Sequence, residues 1–322
     1  MSWNVNGVGP LLQKPISFAP GPSIYPLRTF LRRHEWPDLL CLQEVKISPK
    51  DSVTQRRLQQ AANEGGKADE PQYDITCSLP RDKYNATGFG GKVHGVASLI
   101  RRATALDLST SRKPEWDLEG RILIHESTCG IVVINGYWVN GTSAPYRSPT
   151  TGEADGDRHS LKLRYHQHIL DEVLEYERRG RPVVLIGDMN IARKEIDGYP
   201  NLRTSPAQHV KNRYDFNRKF CESDAGMKGI DVFRHFHGDQ RKYTYWPRGR
   251  PWGTSCDRVD LIICSNNLVE RHNAVIASDI CDNQADRGHS DHVPLWVNVD
   301  VSAIKTACIA SSDPPSEDVS NS

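Results

Sequence analysis

The chain has 322 residues, 37% hydrophobic and 25% charged, enough apolar material for a sizeable core in one large domain or two small ones. With 41 Lys and Arg against 40 Asp and Glu, the formal net charge is +1. That balance excludes reading a nucleic-acid, membrane-surface or acidic partner from global charge, and no apolar run approaches the ~20 residues that span a bilayer.

In chain order, the pattern predicts a helix over 22–34 and a strand over 38–43, then a polar surface insertion over 48–72. A strand at 95–100 precedes two more at 121–125 and 131–138, whose short polar connection predicts antiparallel pairing. After a second polar insertion at 141–157, a helix is expected over 159–179. There Leu161, Tyr165, Ile169, Val173 and Tyr176 recur in steps of three and four, and Gly180 stands past the end as a stop. A strand at 182–186, a third insertion at 192–211, a helix at 212–222 and strands at 258–264 and 292–299 complete the pattern. Hairpins mixed with helical crossovers favour an α/β sandwich over a purely doubly wound sheet. Residues 302–322, rich in Ser, Asp, Pro and Ala, read as a disordered tail behind a domain over 1–301. The eight cysteines are scattered without a Cys-x-x-Cys pair, and the first residues are neither basic nor apolar enough for a secretory signal. Reduced thiols in an intracellular protein are the expectation.

Four segments end a predicted strand in carboxylate, amide or imidazole groups: Trp3-Asn4-Val5-Asn6-Gly7, Leu42-Gln43-Glu44-Val45-Lys46, Ile186-Gly187-Asp188-Met189-Asn190 and Ser290-Asp291-His292. Each alone has a plainer reading as a turn pair, a helix cap or a satisfied polar pair. The set has a chemistry of its own. Hard divalent cations take oxygen ligands, and Mg²⁺ combines one or two carboxylates with water and substrate phosphate. Glu44 and Asp291, with Asn4 or Asn6, supply such ligands. Phosphoryl transfer also needs a water held and deprotonated, which suits Asp188 beside Asn190. It needs a donor at the developing negative charge, a role for His292 if a carboxylate keeps it protonated. Asp260, inside an apolar strand, is costly to bury alone; His292 or Arg258 is its expected partner.

Read in order, WNVNG, LQEVK, GDMN, RVDLI and SDHVPL closely resemble the exonuclease III branch of the endonuclease/exonuclease/phosphatase superfamily, which contains the class II apurinic/apyrimidinic (AP) endonucleases. Glu119-Gly120-Arg121 and Tyr137-Trp138-Val139-Asn140 fit it too, and the resemblance spans 2–299. It implies a DNase I-like four-layer sandwich, two packed mixed β-sheets flanked by helices, with the site at one edge. It further implies that Glu44 binds Mg²⁺, with Mn²⁺ as a substitute, and that Asn6 and Asp291 stand nearby. Asp188 would orient or deprotonate the attacking water and Asn190 hold the geometry. Asp260 would pair with His292 at the scissile phosphate, which Tyr137 and Asn140 also bind. Asn4, Arg121, Tyr245, Arg248 and Arg250 complete the expected phosphate- and DNA-binding set.

The implied reaction is in-line attack of water on a DNA phosphodiester, leaving a 3′-hydroxyl, in AP-endonuclease or 3′–5′ exonuclease action during base excision repair. The expected partner is damaged or abasic duplex DNA, met by a monomer without a membrane, in the nucleus. The alternative within the superfamily is a phosphoinositide 5-phosphatase, whose Trp-Cys-Asp-Arg motif is echoed by Trp252 and Cys256-Asp257-Arg258, though Gly253-Thr254-Ser255 interrupts it. A non-enzymatic scaffold is disfavoured because every catalytic position is filled by a competent residue. Basic surplus in 191–220 and 241–258, with Tyr243, Tyr245, Trp246 and Trp252 in the latter, suits a polyanionic backbone. The chain departs from the resemblance at Asp257, where a second aromatic wall of the abasic-sugar pocket is usual. Val139 replaces a proline, and the 141–157 insertion is long.

Overall fold

The computed structural model describes residues 1–14, 24–65, 67–104 and 106–304. Val132–Tyr137 and Val183–Asp188 are almost wholly buried and run parallel side by side, as strands covered on both faces do. They centre a mixed sheet in the order Ile230–Asp231, Asp260–Cys264, Val183–Asp188, Val132–Tyr137, Ile122–Ser127, Leu108–Arg112. The other sheet runs Val275–Ile280, Leu295–Val299, Ser2–Asn4, Leu39–Gln43, Val96–Arg101, Tyr73–Ser78.

Leu39 and Cys41 of one sheet and Val133, Val184, Ile186 and Ile262 of the other share one buried cluster between them. On the outer faces, Ile169, Val173 and Tyr176 of helix Arg158–Arg178 cover Ile134, Leu185 and Ile263. Leu27 and Leu31 of helix Pro26–Arg33, with Leu58 of helix Ser52–Asn63, cover Leu40, Leu42 and Leu99. Helix, sheet, sheet, helix is the expected four-layer order. Each such aliphatic side chain contributes about 1.5–3 kcal/mol by leaving water.

A polar seam crosses the space between the sheets. Gln43 Nε2 donates to Asn135 Oδ1 at 2.8 Å, Asn135 Nδ2 to Ser98 Oγ at 3.0 Å, and His125 Nε2 meets Ser98 Oγ at 2.7 Å. Because each buried polar group finds a partner, the seam fixes the register of the two sheets without leaving orphans.

The structure corrects several expectations. The 48–72 stretch is not a surface insertion: helix Ser52–Asn63 buries Leu58, Ala61 and Ala62 on the outer face of a sheet. Small apolar residues at that spacing carry little signal in so polar a segment. The 141–157 stretch is a hairpin of Pro145–Arg147 and Ala154–Asp157. Within 192–211, Gly198–Tyr199 pairs with Cys256–Asp257, and helix Ala207–Asn217 starts earlier than expected. In the two large sheets, Tyr73–Ser78, Leu108–Arg112, Ile230–Asp231 and Val275–Ile280 went unpredicted, while the strand expected to end at Trp3-Asn4 is the short Ser2–Asn4.

Helix 159–179 holds to within a residue, capped by Asp157, whose carboxylate accepts from Ser160 N at 2.8 Å. The pairing of Ile122–Ser127 with Val132–Tyr137 is antiparallel, as expected. The helix expected over 22–34 runs Pro26–Arg33, with Tyr25 extended before it; residues 22–23, and residues 305–322 of the tail, lie outside the described residues. Residues 302–304 do not belong to a tail: they close a helical turn, and Ile304 is buried. The described cysteines are all free thiols, and among the described residues no helix is long and apolar enough to cross a membrane.

Candidate active site

Strand register brings the motif residues to one edge. Asn4 stands opposite Gln43, while Asp188 lies between Asp260 and Tyr137. Gly187 makes the last step possible: its φ is +139°, and a Cβ there would sit 2.0 Å from the Gly136 carbonyl oxygen. Just beyond the strand ends, Asn6, Glu44, Lys46 and Asn190 adopt left-handed φ of 47°, 49°, 52° and 51°. Such backbone costs about 1–3 kcal/mol per residue and concentrates at functional sites.

The side chains interlock. Asn4 Nδ2 donates both to Glu44 Oε1 at 3.0 Å and to Asp188 Oδ2 at 2.9 Å, tying two carboxylates to one buried amide. Asn6 Nδ2 donates to Asp291 Oδ1 at 3.0 Å. Lys46 Nζ lies 2.9 Å from Glu44 Oε2 and donates to Asn6 Oδ1. Asn190 N donates to Asp188 Oδ1 at 2.9 Å, and Asn190 Nδ2 to the Trp138 carbonyl at 3.0 Å, so Asn190 clamps the strand end.

His292 Nδ1 is 2.7 Å from Asp260 Oδ2, and its Nε2 is 3.9 Å from Asp188 Oδ2. One ligand atom from each of these three residues lies within 4.8 Å of the others. Burial works against the imidazolium, yet the charge and hydrogen bond of Asp260, with Asp188 and Asp291, raise His292 well above an ordinary imidazole. Burial, reinforced by Asp260, raises Asp188 above the usual carboxylate range despite the opposing pull of His292. Asp260 therefore pairs with His292; Arg258 turns away to Asp197 and Asp231.

Tyr137 lies under the Arg121 guanidinium, 4.8 Å from its ring centroid. Burial and the Glu44 carboxylate push its hydroxyl well above the usual phenol value, so it remains a neutral donor. Arg121 does not reach the surface as a phosphate ligand. It is 2% exposed, and its fork holds Glu119 Oε2 at 2.6 Å and the Tyr137 carbonyl at 3.1 Å. It braces Tyr137 from behind. Asn140 is exposed beyond Tyr137.

Tyr245 faces His292 with ring centroids 5.0 Å apart, and Asp257 exchanges backbone hydrogen bonds with Tyr245. Trp252 does not join that wall: it stacks on Trp246 at 3.9 Å. Arg248 and Arg250 are exposed on a loop outside the interlocked cluster. The surplus charge of 241–258 and 191–220 is smaller at the surface than in the sequence, because Arg258, Arg193 and Lys242 are held by Asp231 and Asp279.

Two lysines escaped sequence reasoning. Lys46 had a usable signal, since it closes the same motif as Glu44. Lys162 is buried on helix Arg158–Arg178, with Nζ 2.8 Å from the Asn190 carbonyl and 3.2 Å from that of Met189. Burial pushes it down to about 7. Its position on the buried side of the predicted helix was its signal.

Residues 1–280 match the endonuclease/exonuclease/phosphatase family. A DNA-(apurinic or apyrimidinic site) endonuclease of Dictyostelium discoideum is 25% identical over 306 residues, 94% of this chain and 70% of that protein. An exodeoxyribonuclease of Bacillus subtilis (strain 168) is 24% identical over 311 residues, 94% of this chain and 99% of the relative. Among solved structures, the Xenopus laevis APE2 catalytic domain superposes with a TM-score of 0.62 at 21% identity, covering 93% of this chain and 90% of that one. An AP endonuclease from Archaeoglobus fulgidus gives 0.59 at 20%, covering 93% and 98%. With the motifs at the strand ends and the relatives in agreement, the chain belongs to the endonuclease/exonuclease/phosphatase family, in its exonuclease III and AP endonuclease branch.

Proposed function

We propose that the protein is a metal-dependent hydrolase of the DNA backbone, an AP endonuclease with 3′–5′ exonuclease activity serving base excision repair. The observation that carries this reading is Asp188, held by Asn4 and Asn190 and facing a charged His292 across 3.9 Å. That arrangement matches hydrolysis of a phosphodiester. Asp188 positions and deprotonates a water, whose oxygen attacks phosphorus as the bond to the 3′-oxygen breaks. His292 Nε2 and the neutral Tyr137 hydroxyl donate toward the non-bridging oxygens, where negative charge grows.

The donor set of Glu44, Asn6 and Asp291 fits a hard cation, and the Lys46 ammonium already rests on oxygens of two of them. Bound there, Mg²⁺ or Mn²⁺ would polarise the phosphate and stabilise the leaving oxygen. The cluster of Asp188, Asp260 and His292 fits acid–base work better, because a protonated imidazole bonded to Asp260 is no ligand. The Asn4 amide, shared by Glu44 and Asp188, holds the carboxylate that would bind the cation beside the one that would activate the water.

The test is a substrate panel with and without EDTA: duplex with one abasic analogue, 3′-recessed duplex, 5′-tyrosyl DNA and a soluble phosphoinositide. Incision immediately 5′ of the abasic site, abolished by EDTA, supports the reading. Release of inorganic phosphate from the phosphoinositide alone overturns it. Action as a monomer in the nucleus is part of the same proposal, open to light scattering and to imaging of a tagged chain.

A further inference from the structure

Beside the site, a cavity of about 480 Å³ opens between the strand end at Tyr137 and the 145–157 hairpin. Its size lies in the ~300–1,000 Å³ range of ligand pockets. Tyr84, Asn85, Asn140, Arg147 and Arg158 line it together with Tyr137, and among the described residues no carboxylate does. His94, also in the wall, adds no charge: burial and the neighbouring Arg121 push it down to about 3.

The wall is built, and hydrogen bonds hold it in place. Asn85 Nδ2 donates to the Arg147 carbonyl at 2.8 Å, and Arg147 N donates back to Asn85 Oδ1 at 2.9 Å. Asp82, buried, fixes that loop by accepting from Tyr84 N at 2.7 Å and Asn85 N at 2.9 Å. The hairpin tip packs on Tyr84, since a Cβ on Gly152 would come within 2.7 Å of its ring. At the hairpin base, Arg158 is anchored on Glu119, with Nη2 2.8 Å from Oε2.

Arg147 is the exception in this arrangement. Its guanidinium donates to the Gly152 carbonyl at 3.0 Å and has no carboxylate partner among the described residues. Lys83 adds a further cation, its ammonium 5.0 Å from the Tyr84 ring centroid. Cations without acids, beside an exposed aromatic ring, are what a nucleic-acid backbone selects.

We infer that this cavity is a second phosphate subsite, in which Arg147 binds a phosphate of the cut strand flanking the scissile one and Tyr84 supports the attached sugar or base. The inference rests on the reading of the neighbouring site as a DNA phosphodiesterase. Phosphates recur at every nucleotide along a strand, so a strand seated at Tyr137 and Asn140 carries its next phosphates past the hairpin. The hairpin would then fix the register of the strand, leaving the chemistry to Asp188 and His292.

Methylphosphonate scanning tests it. In duplex substrates, each phosphate within four of the cut on both sides is replaced in turn by a neutral methylphosphonate, and kcat/KM is measured for the wild type and Arg147→Ala. At one flanking position the replacement is expected to cost the wild type about 10-fold and the variant much less, the mark of direct coupling. The slope of log affinity against log salt should also become shallower by about 0.9 in the variant. Equal losses in both proteins at every position overturn the subsite. A wild type that cuts none of the substrates overturns instead the phosphodiesterase reading on which it stands.

Discussion

Arg258 and Asp260 are two residues apart, and each anchors a buried cluster of charge. Around Arg258, guanidiniums from Arg193 and Arg234 join it on the carboxylates of Asp197 and Asp231, three cations on two acids. Burial opposes ionisation there, but Arg258 wins and holds Asp231 well below the usual carboxylate range. Around Asp260 the balance is reversed: of four carboxylates, Asp188, Asp260 and Glu44 are joined in ion pairs, among the described residues, by the two cations His292 and Lys46, and Asp291 accepts from the Asn6 amide. The first cluster is closed on itself and ties loop 191–199 to the sheet. The second keeps a surplus of negative charge, which a divalent cation and a phosphate-bound transition state can use. Two buried clusters of similar composition thus differ in what they lack.

The largest expected effect comes from the open cluster. Asp188→Asn should lower kcat by about 10²–10⁴-fold, while the fold survives. The linkage sign points the same way. Asp188 is raised in the native state, so its contribution to stability is complete below the unfolded carboxylate value and lost as pH climbs through the native one. His292 is also raised, so its contribution is complete below the unfolded imidazole value and lost only at higher pH. The variant should therefore melt at least as high as the wild type, with its advantage greater at pH 8 than at pH 5. A lower melting temperature at pH 8 would mean that Asp188 is structural, contrary to the comparison.

In the closed cluster the effect moves to stability. Arg258→Ala strands Asp197 and Asp231 as buried charges, and a loss of about 3–5 kcal/mol is expected in denaturant unfolding. Whatever protein remains folded should keep the chemical step. A variant of full stability would show that Arg193 and Arg234 alone satisfy the two acids.

Asp260→Asn probes the join between the clusters. Activity needs Asp188 ionised and His292 protonated, so the pH profile should be a bell whose acid limb lies above ordinary carboxylate titration and whose alkaline limb lies above ordinary imidazole titration. Removing the Asp260 charge should bring the alkaline limb down in pH. If that limb stays put while the maximum falls, His292 is not the group that titrates.

These clusters also separate what sequence could reveal from what it could not. Gly187-Asp188-Met189-Asn190 and Ser290-Asp291-His292 are contiguous, so their chemistry is legible in a few letters. Glu44 and Asn4 become legible once the set is read together. Arg258 is different, because its partners lie 61 and 27 residues away in polar stretches with no pattern of their own. Arg121 misled for a different reason: its partner Glu119 is only two residues away, but an arginine beside a site reads as a phosphate ligand until the ion pair is seen to be buried. The α/β sandwich followed from the apolar runs and its four layers from the family resemblance, whereas Tyr73–Ser78 and Leu108–Arg112, edge strands with few apolar residues, leave little trace.

The smallest expected effect concerns the surplus charge itself. Lys46 is one of the two cations in the open cluster, and its ammonium touches Glu44 and Asn6, both expected to serve the divalent ion. Replacing it by Gln keeps a donor toward those oxygens but removes a charge that repels the ion. Half-saturating Mg²⁺ in the cleavage assay should fall by about three- to tenfold, and the gain should shrink as ionic strength rises. An unchanged or higher Mg²⁺ requirement would mean that Lys46 chiefly holds Glu44 and Asn6 in place. The deficit of positive charge would then be less decisive for ion binding than the left-handed strand ends that present the oxygens.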